Sequence, residues 1–266
     1  MRAAAEPAFA VGGGGPVASR DDRRRGKEPH VSTTREPYRA WQLPPQDKPG
    51  AGGETSASGK SGEPGLDVTR PHPARIYNYL LDGTEHFAAD REAAEQIIAA
   101  SPGARPSARG NRVFLRRAVR YLVRRGVRQF LDIGTGIPTV GNSHEVAQEL
   151  APDARVVYAD NYPIVLALDY APSLMRSSVA GRTAYIQADV RDPKSILSDP
   201  QVRAVIDFDL PVAVLLVAVL HFVRDEEDPA ALVAELRDAL APGSHVVVSH
   251  VSGDFDPERA RTAAQV

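Results

Sequence analysis

The residues that most constrain the fold are 130–139, which read Phe-Leu-Asp-Ile-Gly-Thr-Gly-Ile-Pro-Thr. The apolar run 127–133 is typical of a buried parallel strand. Gly134 and Gly136 then permit a tight turn and a close approach of the backbone to a ligand. The next helix, which we expect to begin at about Asn142, would direct free N–H groups towards that ligand. The stretch therefore predicts a nucleotide-type binding site.

The acid within this strand narrows the choice of ligand. The Asp132 carboxylate would repel a dinucleotide pyrophosphate, but it suits a ligand that carries an amine or a sulfonium, as S-adenosylmethionine does. A dinucleotide fingerprint, G-x-G-x-x-G, starting at Gly134 would need a glycine at position 139, where the chain has Thr139. An ordinary glycine turn after a core strand is the alternative that these residues alone leave open.

Composition excludes several classes of protein. The 266 residues have a formal net charge of −2 and include no cysteine, so disulfides and thiolate metal sites are excluded and we expect no metal. No apolar run approaches the roughly 20 residues that cross a bilayer, and the N-terminus is a poor signal peptide. We expect a cytoplasmic protein with no membrane partner.

The chain divides near residue 65. Residues 1–65 contain 11 Gly and 8 Pro but only 5 residues of Leu, Ile, Val or Phe. Such a segment cannot bury enough apolar surface to offset its ordering entropy, so we predict a disordered tail over 1–65 and one domain over 71–266. The basic cluster 20–27 and the arginines of 105–128 could contact nucleic acid, but solvated surfaces are the simpler interpretation.

Hydrophobic periodicity predicts three helices followed by alternating strands and helices. The expected helices are 74–81, 90–100, 107–125, 142–150, 162–171, 193–206 and 229–240. The expected strands are 127–133, 154–159, 183–188, 211–220 and 244–251. Strands that alternate with helices predict an α/β fold with a doubly wound parallel sheet, here with a helical cover contributed by the N-terminal helices.

Polar residues stand where four of these strands end, which is where such sheets bind ligands. Asp132 ends the first strand. Asp160 and Asn161 end the second, and the Asp160 carboxylate could accept both hydroxyls of a ribose. Asp189 ends the third and could accept a hydrogen bond from an adenine amino group. His221 ends the fourth and is a candidate general base. A single acid at such a position could instead cap a helix.

Long segments of the chain resemble a known family. The matching segments are 71–83, 87–96, 111–122, 129–148, 154–167 and 211–223. They are similar to the actinobacterial S-adenosylmethionine-dependent methyltransferases long catalogued as a domain of unknown function. The resemblance implies a Rossmann-like class I methyltransferase fold and S-adenosyl-L-methionine as cofactor. It leaves the methyl acceptor open, and we expect a small molecule.

The chain departs from the family pattern at 82–86, at Tyr162 and at Pro172. It also ends at Val266, soon after the fifth expected strand, where class I methyltransferases normally add a helix and an antiparallel strand pair. We therefore expect a domain that is incomplete at its C-terminus. A non-catalytic cofactor-binding or regulatory protein is the main alternative, and a nicotinamide-dependent oxidoreductase is a third.

Overall fold

The computed structural model describes residues 67–163 and 180–252. The predicted tail 1–65, most of the predicted helix 162–171 and the C-terminal residues 253–266 lie outside the described residues. The expectation of an incomplete C-terminus falls on that last segment.

A parallel sheet of five strands forms the centre of the described chain, in the order β3-β2-β1-β4-β5. The strands are β1 Gln129–Ile133, β2 Arg155–Asp160, β3 Arg182–Gln187, β4 Val212–Val217 and β5 His245–Ser249. The chain builds outwards from β1 to β3 and then crosses back to β4, so the order reverses between β1 and β4. The prediction of a doubly wound parallel sheet is confirmed, and the reversal marks the point where such sheets bind ligands.

Seven α-helices accompany the sheet in the described ranges. They are α1 Pro73–Leu80, α2 Ala88–Ala100, α3 Ala104–Arg124, α4 Ser143–Leu150, α5 Pro193–Ser198, α6 Pro200–Val205 and α7 Pro229–Asp238. The single helical stretch predicted over 193–206 is divided at Asp199, whose carboxylate accepts the N–H of Gln201 at 2.7 Å and so starts α6. The helix predicted over 90–100 begins at Ala88. Asp90 therefore lies in its first turn, where its carboxylate accepts the N–H of Phe87 at 2.8 Å.

The two faces of the sheet carry separate apolar cores, because successive strand residues point to opposite sides. One core joins Phe130 and Leu215 to buried residues of α3 and α4. The other joins Leu131 and Val214 to buried residues of α5, α6 and α7. Asp132 has the same parity as Phe130, so its side chain lies on the face that α3 and α4 cover.

The N-terminal helices form the predicted cover. Apolar residues of α1, α2 and α3 make a third buried cluster, with Ile76 and Leu80 on α1. The buried leucines and valines of α3 form a stripe along the helix that packs on the sheet. Val113 and Tyr121 are apolar residues of α3 outside this stripe, and they are 52% and 58% exposed because they lie on the opposite side of the helix.

Candidate cofactor site

The glycine turn after β1 packs against the segment that follows β4. Gly134 has φ +74°, and a Cβ placed on it would lie 2.3 Å from Cγ2 of Val219. Gly136 has φ +65°, and a Cβ placed there would lie 3.9 Å from Cβ of Ala74 in α1. Both positions need the left-handed conformation that glycine adopts without strain. The turn is therefore fixed against neighbours on both sides.

Asp160, at the end of β2, holds this turn in place. One carboxylate oxygen accepts the N–H of Gly136 at 2.7 Å, and the other accepts the N–H of Tyr162 at 2.9 Å. Burial raises the pKa of Asp160, and these two hydrogen bonds act in the opposite direction. The side chain is thus aimed at the glycine turn. The contact of Asp160 with a ribose stays a prediction. Each carboxylate oxygen has a second lone pair with which it could accept a ribose hydroxyl.

Asp132 is the other buried acid of the site. Its carboxylate is buried beneath the start of α4, where it accepts the hydroxyl proton of Ser143. Burial raises the pKa of Asp132 to about 6, and the neighbouring Asp160 adds to this effect, whereas Ser143 and the Arg112 guanidinium oppose it. Because burial disfavours the charged form of this carboxylate, a cation that reaches it stabilises that form. The site therefore favours a positively charged ligand.

A guanidinium that the sequence analysis missed lies on the other side of the glycine turn. Arg112 of α3 donates from Nη2 to Oγ1 of Thr139 at 2.7 Å, with longer contacts to the Gly141 carbonyl and to Oδ1 of Asn142. Its Nε is buried and has no hydrogen-bond partner among the described residues.

Arg112 belongs to a row of regularly spaced arginines in α3. Positions 105, 109, 112 and 116 share one face of a helix. The arginines of this face contact protein groups, although Arg109 itself is exposed. Arg105 and Arg109 pair with Asp82, and Arg116 donates to the carbonyl of Val140.

Asn161 and Asp189 are brought together at the ends of β2 and β3. Nδ2 of Asn161 donates to Asp189 at 3.1 Å, and Nη1 of Arg191 lies 3.1 Å from both oxygens of the same carboxylate. Arg191 also bonds to Glu227 at 2.9 Å and to the Phe222 carbonyl at 2.8 Å. This group is more exposed than Asp132 and links the second half of the sheet to the first. Asp192, by contrast, only caps α5, where it accepts the N–H of Ser195 at 3.1 Å.

His221 lies in the turn that follows β4. β4 ends at Val217 rather than at the predicted residue 220, because Ala218 adopts φ +57° and turns the chain. His221 then falls in a short 3₁₀ turn, buried, with its ring 5.6 Å from that of His250. Burial and the nearby His250 lower the pKa of His221 to about 4. The imidazole is therefore neutral near pH 7.

A groove of about 420 Å³ opens beside this turn and α7. It is lined mainly by apolar side chains, with Asp225, Arg237 and His250 as its polar residues. Leu220 is one of the residues that line the groove, and it follows Val219, which contacts the glycine turn.

The helical cover is fastened to the end of β2. The His72 ring, which precedes α1, stacks on the Tyr162 ring with the centroids 3.6 Å apart. Arg75 is 1% exposed; it donates to the Tyr162 hydroxyl at 2.9 Å and pairs with the buried Asp90 at 2.9 Å. Tyr162, at which the chain departs from the expected family pattern, is thus part of the contact between the cover and the sheet.

The donors and acceptors of the site fit S-adenosylmethionine. Asp132 matches a cationic ligand, and the glycine turn admits a close approach. The buried Nε–H of Arg112, which has no partner within 67–163 and 180–252, is a donor beside the turn. In residues 67–163 and 180–252 no group of three or more His, Asp or Glu side chains could hold a metal ion. Every helix in these ranges is too short or too polar to span a bilayer.

Comparison with known proteins gives the family. A family model described as S-adenosyl methyltransferase matches residues 59–266. A crystal structure of a DUF574 family protein from Streptomyces avermitilis is 44% identical, with a TM-score of 0.72, over 75% of this chain and 76% of that one. A Thermobifida fusca protein assigned to the methyltransferases is 43% identical, with a TM-score of 0.70, over 76% of this chain and 74% of that one.

No protein in the curated set matches. The extent of the family match nevertheless decides the assignment. The chain belongs to the S-adenosyl methyltransferase family, and its cofactor is S-adenosyl-L-methionine.

Proposed function

We propose that this protein transfers the methyl group of S-adenosylmethionine to a small-molecule acceptor. The observation that carries the proposal is the buried Asp132 carboxylate, whose charge burial disfavours and a cationic ligand would stabilise, beside a glycine turn at the point where the strand order reverses. The proposed cofactor residues are Asp132, Gly134, Gly136, Asp160, Asn161 and Asp189. The first four surround the turn, and the last two extend the site along the strand ends.

For methyl transfer, the main task of the protein is to align the acceptor with the methyl group of the cofactor. When bound, the cofactor supplies the activated carbon and the leaving group for a direct displacement. Asp132 attracts the cationic part of the ligand, and Asp160 fixes the turn against which the ligand lies. The α1–α3 cover excludes water from this face of the sheet. These residues raise the rate by positioning the reactants rather than by forming bonds to them.

We place the acceptor over the β4–β5 half of the site. A groove of about 420 Å³ has the size and the mainly apolar lining of a small-molecule pocket. Neutral His221 lies beside it and could accept a proton at Nδ1 or Nε2 from an acceptor hydroxyl or amine. A pKa of about 4 makes it a weak base, so an acceptor that is already deprotonated would not need it.

Calorimetric titration tests the cofactor half of the proposal. S-adenosylhomocysteine should bind, and NADH should give no heat. Saturable NADH binding without S-adenosylhomocysteine binding would overturn it and favour an oxidoreductase.

A labelling experiment tests the acceptor class. The protein is incubated with methyl-labelled S-adenosylmethionine and a cell extract, and the products are separated by size. Label should enter the low-mass fraction and be absent when heat-denatured protein is used. Label confined to protein or nucleic acid would contradict a small-molecule acceptor. Cofactor binding without label in any fraction would favour the non-catalytic alternative.

A further inference from the structure

Arg112 has hydrogen-bonding capacity that its contacts within the protein do not use. Only Nη2 has contacts to the glycine-turn segment, to Thr139, Gly141 and Asn142. Nε is buried without a partner in the part of the chain that the structure describes. A buried N–H that has lost its contact with water and gained no acceptor is unfavourable. Such an arrangement is expected where a ligand completes the set of hydrogen bonds.

The position of Arg112 suggests what the ligand group is. Its positive charge is close enough to act on the buried Asp132, so the turn is flanked by a carboxylate and by a guanidinium. The methionine portion of S-adenosylmethionine is a zwitterion, with an ammonium and a carboxylate on one carbon. A site with one fixed charge of each sign matches both groups. Guanidinium groups bind carboxylates through parallel N–H donors, one of which is commonly Nε.

We propose that Arg112 binds the carboxylate of the cofactor's methionine portion, while Asp132 attracts the ammonium. This rests on the proposed function of the site. Arg112 is then a specificity-determining residue, which distinguishes S-adenosylmethionine from ligands that share its adenosine and sulfonium groups but lack the amino-acid carboxylate.

A simpler role for Arg112 is to tether α3 to the turn. The two roles differ in one respect: a tether would support every ligand of the turn equally, whereas a carboxylate-binding residue affects only ligands that carry a carboxylate. The decarboxylated analogue of S-adenosylmethionine, which keeps the sulfonium and the amine, separates them.

The experiment measures the dissociation constants of both ligands by calorimetry for wild type, Arg112→Gln and Arg112→Lys. Wild type should bind S-adenosylmethionine about 10- to 100-fold more tightly than the decarboxylated analogue, as expected for charge-assisted hydrogen bonds. Arg112→Gln should lose that preference and keep its affinity for the analogue. Arg112→Lys should retain part of the preference.

A matched control lies on the same helix. Arg120→Gln removes an exposed arginine that pairs with Glu149 at 3.6 Å, and should bind both ligands as wild type does. An equal loss of affinity for both ligands in Arg112→Gln would show that Arg112 is a tether. That result, or an unchanged preference of Arg112→Gln for S-adenosylmethionine over the analogue, would overturn the inference about Arg112 and leave the proposed function intact. If wild type bound neither ligand, the proposed function would fail as well.

Discussion

Asp132 makes one contribution to the pH dependence of the stability of the ligand-free protein. Burial raises the pKa of Asp132 to about 6, against an ordinary value of 3.8. Between these values the folded protein keeps a proton that the unfolded chain has released. The stability linked to this proton is fully present below the unfolded value and is lost as the pH rises through the folded value. At about 1.4 kcal/mol per pKa unit, the loss well above pH 6 is about 3 kcal/mol.

Replacing the acid with its neutral amide removes this dependence. In Asp132→Asn the side chain keeps its size, and its carbonyl oxygen can still accept the Ser143 hydroxyl proton. We expect the variant's advantage over wild type in free energy of unfolding to grow by about 2–3 kcal/mol between about pH 4 and pH 8. Urea unfolding of both proteins across this range, without ligand, measures the difference. The same variant should bind S-adenosylhomocysteine more weakly.

The difference in unfolding free energy between wild type and Asp132→Asn, followed over pH, tests whether Asp132 is a buried charge. If the unfolding free energies of the two proteins ran parallel from pH 4 to pH 8, the carboxylate would not be the buried, unfavourable charge described here. Asp192→Asn is the matched control, because Asp192 is an exposed helix cap and asparagine caps a helix about as well. Its difference from wild type should stay small at every pH.

Three further outcomes are expected. Gly134→Ala should destabilise the fold by more than about 2 kcal/mol in urea unfolding, since the new Cβ would overlap the side chain that follows β4. Gly110→Ala, with open space around it in α3, should instead stabilise by about 0.5–1 kcal/mol; similar values for the two would contradict the described turn. Asp160→Ala should weaken S-adenosylhomocysteine binding by about 2–3 kcal/mol, whereas Asp192→Ala should leave affinity unchanged; equal calorimetric affinities would remove Asp160 from the site. A chain that begins at residue 65 should keep the thermal midpoint and the cofactor affinity of the full chain, and a large fall in either would show that the predicted tail packs on the domain.

The sheet and its acidic edge could be predicted because both depend on local pattern. Apolar strands followed by Asp132, Asp160 and Asp189 predict a parallel sheet with an acidic edge, and the structure confirms the parallel sheet. The acids do not give its register, because Asp132 pairs with Tyr158 and Asp160 pairs with Gln187. The end of β4 also differs from the prediction. Ala218 has no sequence signal for its positive φ, so the end of β4 could not be predicted.

The part played by the helical cover could not be predicted from local pattern. The stack of His72 on Tyr162 joins residues 90 positions apart, and only tertiary packing brings them together. The role of Arg112 has the same origin. A row of arginines on one helix face predicts a polar surface, and which face of α3 meets the glycine turn depends on how that helix packs on the sheet.

The contact between the cover and β2 has a consequence for hydrogen exchange. His72 and Arg75 hold α1 to Tyr162, and Tyr162 follows directly on the acid that fixes the glycine turn. A ligand that binds only when this turn is ordered must raise the free energy of local opening of every segment whose opening disorders the turn. The amide protons of α1 should therefore exchange more slowly when S-adenosylhomocysteine is bound, although α1 contributes none of the proposed cofactor residues. Ligand affinity and the local stability of the first helix are then two measurements of one coupling free energy.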